Sequence, residues 1–566
     1  MSETRASNQE RYYLTALMLL GAGLLFYASG RLPMIGPDEP RYAQVAREMY
    51  QSGDWITPRL GGIHWFEKPA LTYWLVAAGY AIFGVSELAA RLGVALVAGL
   101  SALMLYFFGR RVHSARYGYL SAAVLLSSGL WLGFGRGATF DTPLAMAIEM
   151  ALLAFYLWER GQTTESANHK NFWWYVCSFA LGLAVLAKGL VGIVLPAGII
   201  GLYLLITRRL MTVLKRPGLL LVGAAIFLAT CATWYGPMFA RHGREFWDEF
   251  FLAHHFQRYF TNKYQHPQPF YFFFAIALLG CLPWSFHLVA AGNVIRRWRV
   301  FTGAKPVEKA DRLRLLLWLW VLLPVIFFSF SGSKLPGYIL PVFPAVALLI
   351  SQELDLLWEV GCSRRFRLAS VINGLMLLLA GAAVWLRGRP ATGAGETEVR
   401  IAAAVIIVVA IAYLAALWSR REKAATLFLP FGVMLIVVAA SHLVFQGLGR
   451  QASMRELSEL AAQSARPGER LAFYINTEQS LNYYAPGLPL RDEKAAMITV
   501  MNEEEVAALL EKYRLPSLLV ISLRRWSGGL TSTDLLTTEL LGQQERANRH
   551  NDGLDDLLLL RVRLRR

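Results

Sequence analysis

Two adjacent carboxylates, Asp38 and Glu39, stand just beyond the first long apolar segment, in Pro37-Asp38-Glu39-Pro40-Arg41-Tyr42. Acidic groups beside a membrane span are costly unless they are paired, capped or used. Asp38 has two explanations: it caps a helix whose first turn holds Pro40, or it is a general base or an acceptor-orienting carboxylate. Asp141 opens the fourth apolar segment, in Gly137-Ala138-Thr139-Phe140-Asp141-Thr142-Pro143. It too is either a cap or a second carboxylate that holds a metal or organises the base. Glu67-Lys68-Pro69, Ala187-Lys188-Gly189 and Ser333-Lys334-Leu335-Pro336-Gly337-Tyr338 each put one lysine between apolar stretches. A single such lysine reads as an interface anchor. Three of them, with Arg41 and Arg136 on the same face, suit an anionic ligand, phosphate above all. His254 and His255 read first as polar loop residues; the alternative gives one imidazole, with Glu67, to a divalent ion.

These groups need a scaffold, and the composition names its class. The chain has 566 residues, 55% hydrophobic and 17% charged, too apolar for a soluble domain of that length and suited to a polytopic membrane protein. Apolar runs fall at residues 12–30, 92–108, 119–134, 142–158, 172–187, 190–206, 219–237, 270–290, 315–330, 339–350, 369–386, 401–418 and 427–445. They predict about thirteen transmembrane helices. The first is expected to be a retained span, not a cleaved leader.

The net charge of +17 does not point to nucleic acid. The basic residues gather in alternate short loops, such as Arg110-Arg111, Arg208-Arg209, Arg296-Arg297, Arg364-Arg365 and Arg420-Arg421. The positive-inside rule makes those loops cytoplasmic, with the N-terminus inside and the C-terminus outside. The candidate site residues all fall on the outward side. Within the first outer loop, residues 31–91, Tyr42, Val45, Ala46, Met49 and Tyr50 make an apolar stripe of helical spacing. A second aromatic stretch runs through Tyr73, Trp74, Tyr80 and Phe83. Both are expected to be interfacial helices.

Residues 1–450 thus read as a transmembrane domain and 451–566 as a small soluble α/β domain. Within the latter, strands are predicted at 471–475, 518–521 and 557–562, with a helix at 502–513 capped by Asn502. It contains no nucleotide-binding glycine loop, and the chain shows no internal repeat. The four cysteines have neither metal-ligand spacing nor a disulfide framework. A secondary transporter would place its charges near the bilayer midplane within repeated halves; here they collect at one surface.

The ordered motifs, from Gly36-Pro37-Asp38-Glu39-Pro40-Arg41-Tyr42 through Glu67-Lys68-Pro69, Arg136 to Asp141 and Ala187-Lys188-Gly189 to Lys334-Leu335-Pro336-Gly337-Tyr338, resemble the 4-amino-4-deoxy-L-arabinose (aminoarabinose) lipid A transferases. These are GT-C-type, polyprenyl-phosphate-dependent glycosyltransferases, a group that includes protein O-mannosyltransferases. The resemblance implies an inverting glycosyltransferase in the bacterial inner membrane, with its C-terminal domain in the periplasm. It would move aminoarabinose from undecaprenyl phosphate to lipid A phosphate, a lipopolysaccharide modification that confers polymyxin resistance. By that resemblance Asp38 and Asp141 are catalytic, and Glu39, Arg41, Tyr42, Lys68, Arg136, Lys188, Lys334 and Tyr338 bind substrate. No cofactor is required; a divalent cation at Glu67, His254 and His255 is the exception allowed for. The expected partners are the lipid-linked donor, lipid A and membrane lipid, with a monomeric enzyme. The alternative is another acceptor, as in O-mannosyl transfer, or a lipid transporter.

Overall fold

The computed structural model describes residues 2–161, 171–250, 268–292, 309–392, 395–443, 453–474, 479–492, 497–523, 527, 530, 535–544 and 556–565. Each of the thirteen predicted apolar segments is helical over most of its described residues. Eight belong to helices long and apolar enough to cross a bilayer: Glu87–Val112, Asp141–Gly161, Pro217–Phe250, Asp311–Ser329, Pro336–Glu359, Arg364–Arg387, Glu396–Trp418 and Glu422–His442. Two more are bent pairs, Ala115–Ser127 with Gly129–Gly135 at 68° and Phe272–Gly280 with Ser285–Ala291 at 110°. Phe172–Lys188 and Val191–Ile206 are shorter, and the first segment is a helix, Ser2–Gly21, continued by a π-turn at Ala22–Phe26. The chain is a multi-pass membrane protein.

Burial divides these helices. Asp141–Gly161 and Pro336–Glu359 are 83% buried within the protein, whereas Pro217–Phe250, Arg364–Arg387 and Glu396–Trp418 are only 22%, 28% and 33% buried. The last three present apolar side chains outward, Leu221, Leu379 and Val408 among them, as lipid-facing helices do. The two central helices begin at Asp141 and Pro336, so the site residues at their starts sit on the most rigidly packed part of the bundle.

The first loop folds into a compact cap. Its helices Asp38–Ser52 and Leu71–Phe83 are joined through a two-stranded hairpin, Arg59–Leu60 with Ile63–His64. The stripe Tyr42, Val45, Ala46 and Met49 does not face lipid. It packs against Tyr73, Val76, Ala77 and Tyr80, with Ala138, Phe140 and Tyr483 closing the cluster. The exposed apolar end of the cap is Ile82 and Phe83.

The C-terminal region forms a five-stranded sheet in the order Thr499–Val500, Arg470–Tyr474, Leu518–Leu523, Leu557–Leu564, Leu536–Gln544. The first three strands are parallel and the last two join antiparallel. The helix Glu503–Lys512 lies between two of the parallel strands in sequence, and Asn502 caps it by accepting the Glu505 N–H at 2.9 Å. The strand Leu536–Gln544 is absent from the sequence-based expectation. Its LTTELLGQQ run lacks clean alternation and its register shifts between Leu540 and Gly542. This domain docks on the cap. Tyr484 Oη accepts the Met34 N–H at 2.8 Å and lies 3.1 Å from Glu87 Oε1, which Arg455 Nη1 also reaches at 2.9 Å.

Candidate active site

Helix ends and the turns beside them converge on one cavity of about 320 Å³. Asp38, Tyr42, Glu67 and Lys68 come from the cap, Thr139, Phe140 and Asp141 from the entry to a central helix, and Lys188 from the end of Phe172–Lys188. Ser331, Ser333 and the turn Leu335 to Tyr338 complete the wall.

Asp38 is the first residue of its helix, yet Pro37 occupies the N-cap and no side chain caps it. The capping explanation for Asp38 therefore fails. Its carboxylate is 53% exposed and stands 4.0 Å from Arg41 Nη1. Arg41 also lies 3.6 Å from Glu67 Oε2 and stacks over Trp65 at 5.5 Å. Lys68 Nζ donates to Glu67 Oε1 at 3.0 Å, and both side chains are nearly buried. Across the cavity the Lys188 ammonium pairs with Asp141 and sits 5.1 Å from the Tyr338 ring centroid. Tyr42 meets Phe140 edge to face at 4.6 Å. Burial, with the nearby Glu67 and Asp38 carboxylates adding to it, raises the Tyr42 phenol well above its ordinary value, so it stays a neutral donor.

Three predicted binding residues are turned elsewhere. Glu39 accepts from Arg91 Nε at 2.7 Å, Arg91 Nη2 at 2.8 Å and the Ala138 N–H at 3.1 Å. It fastens the cap to the helix Glu87–Val112 and to the turn before Asp141. Arg136 donates to the carbonyls of Leu24 and Tyr27 at 2.7 and 2.9 Å; burial and the neighbouring Arg91 lower its pKa to about 10. Lys334 donates to the Ser331 carbonyl at 2.7 Å and closes its own turn. None of the three lines the cavity. His254 and His255 lie outside the described residues. Glu67, their proposed companion, already balances Lys68 and Arg41.

The Ser331-Gly332-Ser333 turn contributes what sequence reading passed over. Ser331 Oγ donates to the Ser333 carbonyl at 2.9 Å. Ser333 Oγ is buried with no protein partner among the described residues, so a polar ligand can take its hydroxyl. Gly337 permits the close approach of the turn. A methyl group there would stand 2.6 Å from Phe134 and 2.8 Å from the Asp141 carboxylate, inside contact distance. The result is an amphipathic chamber with three carboxylates and two lysines at one end of the bundle, fit to hold a charged headgroup whose tail stays in the bilayer.

A family model described as dolichyl-phosphate-mannose-protein mannosyltransferase matches residues 67–235. An undecaprenyl phosphate-alpha-4-amino-4-deoxy-L-arabinose arabinosyl transferase of Aeromonas salmonicida is 34% identical over 364 residues, covering 63% of each chain. A second protein of that name, from Pseudomonas fluorescens, is 31% identical over 66% of this chain and 62% of its own length. The matched region thus spans less than two thirds of these relatives. The crystal structure of ArnT from Cupriavidus metallidurans bound to undecaprenyl phosphate superposes with a TM-score of 0.76 at 25% identity, covering 98% of both chains. The chain is thus similar, over the matched region, to aminoarabinose transferases, and it shares its whole fold with the ArnT structure.

Proposed function

We propose that this protein transfers 4-amino-4-deoxy-L-arabinose from undecaprenyl phosphate to a lipid A phosphate, at the periplasmic face of the bacterial inner membrane. The observation that carries the reading is the pairing of two carboxylates with two lysines in one cavity at the membrane-end of the bundle. The helix Glu87–Val112 supports this orientation. It starts beside the C-terminal domain at Glu87 and carries Arg110-Arg111 in its last turn, about 35 Å away at the rise of an α-helix. Basic loops mark the cytoplasmic side, which supports a periplasmic cavity and C-terminal domain.

In the proposed step an acceptor phosphate oxygen attacks the anomeric carbon of the sugar. The bond from that carbon to the carrier phosphate breaks, and the electron pair leaves on the undecaprenyl phosphate. One such displacement inverts the anomeric centre through an oxocarbenium-like state. Lys68 and Lys188 receive the growing phosphate charge, with Arg41 beside them. A phosphomonoester is largely ionised near neutral pH, its second pKa being about 6. Asp38 therefore orients the acceptor more than it removes a proton. Asp141, held by Lys188, faces the sugar amine. The chemistry asks for no cofactor.

Lipid A mass spectrometry from cells with and without the gene tests the reading. An increment matching aminoarabinose that depends on the chain supports it. Unchanged lipid A with altered protein glycosylation would move the assignment to the mannosyl-transfer branch that the matched family model describes. Product formation by purified protein in detergent separates either transferase from a transporter, which has no assay without two compartments.

A further inference from the structure

Beside the cavity, three side chains that the transfer chemistry does not use converge from two elements. His64 ends the cap hairpin, and His242 and Glu245 lie on either side of the kink at Gly243 near the end of Pro217–Phe246. One ligand atom from each falls within 4.8 Å of the others. His64 Nδ1 is 2.9 Å from Glu245 Oε1, and the two imidazoles meet at 4.7 Å between centroids. His242 Nε2 lies 2.9 Å from Thr57 Oγ1. A hydroxyl that receives Nε2–H leaves the lone pair on Nδ1, the arrangement by which outer partners orient metal-bound histidines.

The donor set is two imidazoles and a carboxylate, which suits zinc with a fourth position open to water. Zinc–nitrogen bonds of about 2.0–2.1 Å in a tetrahedron put ligand atoms roughly 3.3 Å apart, within the spacing already present. The supports are built in advance. Phe66 stacks on His64 at 5.1 Å and packs at 90° on Phe246, in a buried cluster with Trp234 and Phe250. The nearby guanidiniums of Arg59 and Arg241 are both held by Asp54, at 3.1 and 2.8 Å. The other histidine–carboxylate cluster among the described residues, His113, Asp355 and Glu359, differs: there the Arg116 guanidinium already occupies Asp355.

We propose that His64, His242 and Glu245 form a transition-metal site, fitted to zinc, that pins the strand leading to Glu67 and Lys68 onto the end of the helix Pro217–Phe246. This site is separate from any ion at Glu67, His254 and His255, and its binding test does not depend on which sugar is transferred. Tag-free full-length protein in detergent, stripped with chelator, is titrated with Co²⁺ while its visible absorption is followed. The expected result is one saturable band. It weakens at least tenfold in affinity in His64→Ala/His242→Ala and in Glu245→Gln, and it persists in His254→Ala/His255→Ala. Thr57→Val is expected to weaken it about tenfold, the usual loss on removing an outer partner. Glu245→Gln alters an exposed side chain and guards against misfolding, checked by melting temperature in chelator. Co²⁺ affinity unchanged in Glu245→Gln and in the His64/His242 double variant would overturn the proposal and leave a hydrogen-bonded pair only. So would a band lost only with His254 and His255.

Discussion

Two charged clusters lie back to back in this molecule, and they are built differently. Behind the cavity, Glu39 and Arg91 are buried and Arg136 half-buried, and all three are hydrogen-bonded to protein. Arg91 alone reaches both Glu39 oxygens and the carbonyls of Ser29 and Pro33, at 2.6 and 3.0 Å. In front, Asp38, Lys68, Asp141 and Lys188 line one hollow, Lys68 paired with Glu67 and Lys188 with Asp141. A saturated buried network fixes geometry; ion pairs that line a cavity stay within reach of a ligand that enters it. The rear cluster therefore holds the cap in place, and the front cluster is where the proposed function puts the substrate phosphates.

Replacing one group on each side is the sharpest way to break that comparison. Asp38→Asn is expected to lower transfer by roughly 10²-fold, the cost of a misplaced reacting group, while the melting temperature in detergent stays put. Wild-type turnover at equal expression would remove Asp38 from the front cluster. Arg91→Ala is expected to do the reverse first, destabilising the fold by about 3–5 kcal/mol because Glu39 is left as a buried unpaired charge. Glu39→Leu combined with Arg91→Leu should recover much of that loss in thermal unfolding. A double variant no more stable than Arg91→Ala would mean that the Arg91 bonds to backbone carbonyls, not the ion pair, hold the cap.

That division explains how far the sequence could be read. The helices, the cap and most of the C-terminal sheet follow from apolar period and turn residues. Asp38, Glu67, Lys68, Asp141, Lys188 and Tyr338 all reach one cavity. Glu39 does not, because consecutive residues on a helix point about 100° apart, at 3.6 residues per turn, so the Asp-Glu pair cannot face one hollow. Its partner Arg91 lies 52 positions away, a distance at which no local pattern signals a contact. The inward turn of the Tyr42-to-Met49 stripe was equally hidden: an amphipathic period shows that one face is apolar, not whether lipid or protein covers it.

Smaller effects sharpen the front cluster. Lys68→Ala is expected to reduce kcat/KM for the lipid-phosphate donor by about 10–150-fold, the value of a hydrogen bond to a charged group at 1.5–3 kcal/mol. Donor use indistinguishable from wild type would shift the leaving-group role to Lys188 alone. Gly337→Ala forces a methyl group against Phe134 and Asp141. Overpacking of this kind costs about 1–3 kcal/mol, read as a fall in both melting temperature and turnover.

The smallest expected effect concerns the hinge of the cap rather than its chemistry. Burial disfavours the Asp54 carboxylate, but the backbone N–H groups of Thr57 and Ile56 and the guanidiniums of Arg241 and Arg59 outweigh it. They hold its pKa well below the usual carboxylate range. A folded pKa below the unfolded value means that the stabilisation is complete above about pH 4, the ordinary range for Asp. It is lost as pH falls from there through the folded pKa. The contribution is about 1 kcal/mol or less, since the partner arginines are partly exposed and screened. Asp54→Asn should thus lower the melting temperature slightly at pH 6, and the gap from wild type should narrow as pH is taken below about 4. A gap that stayed constant down that range would assign the loss to the shape of the side chain instead of its charge. The cap would then be held to the helix Pro217–Phe246 by packing around Phe66 and Trp234 without help from Asp54.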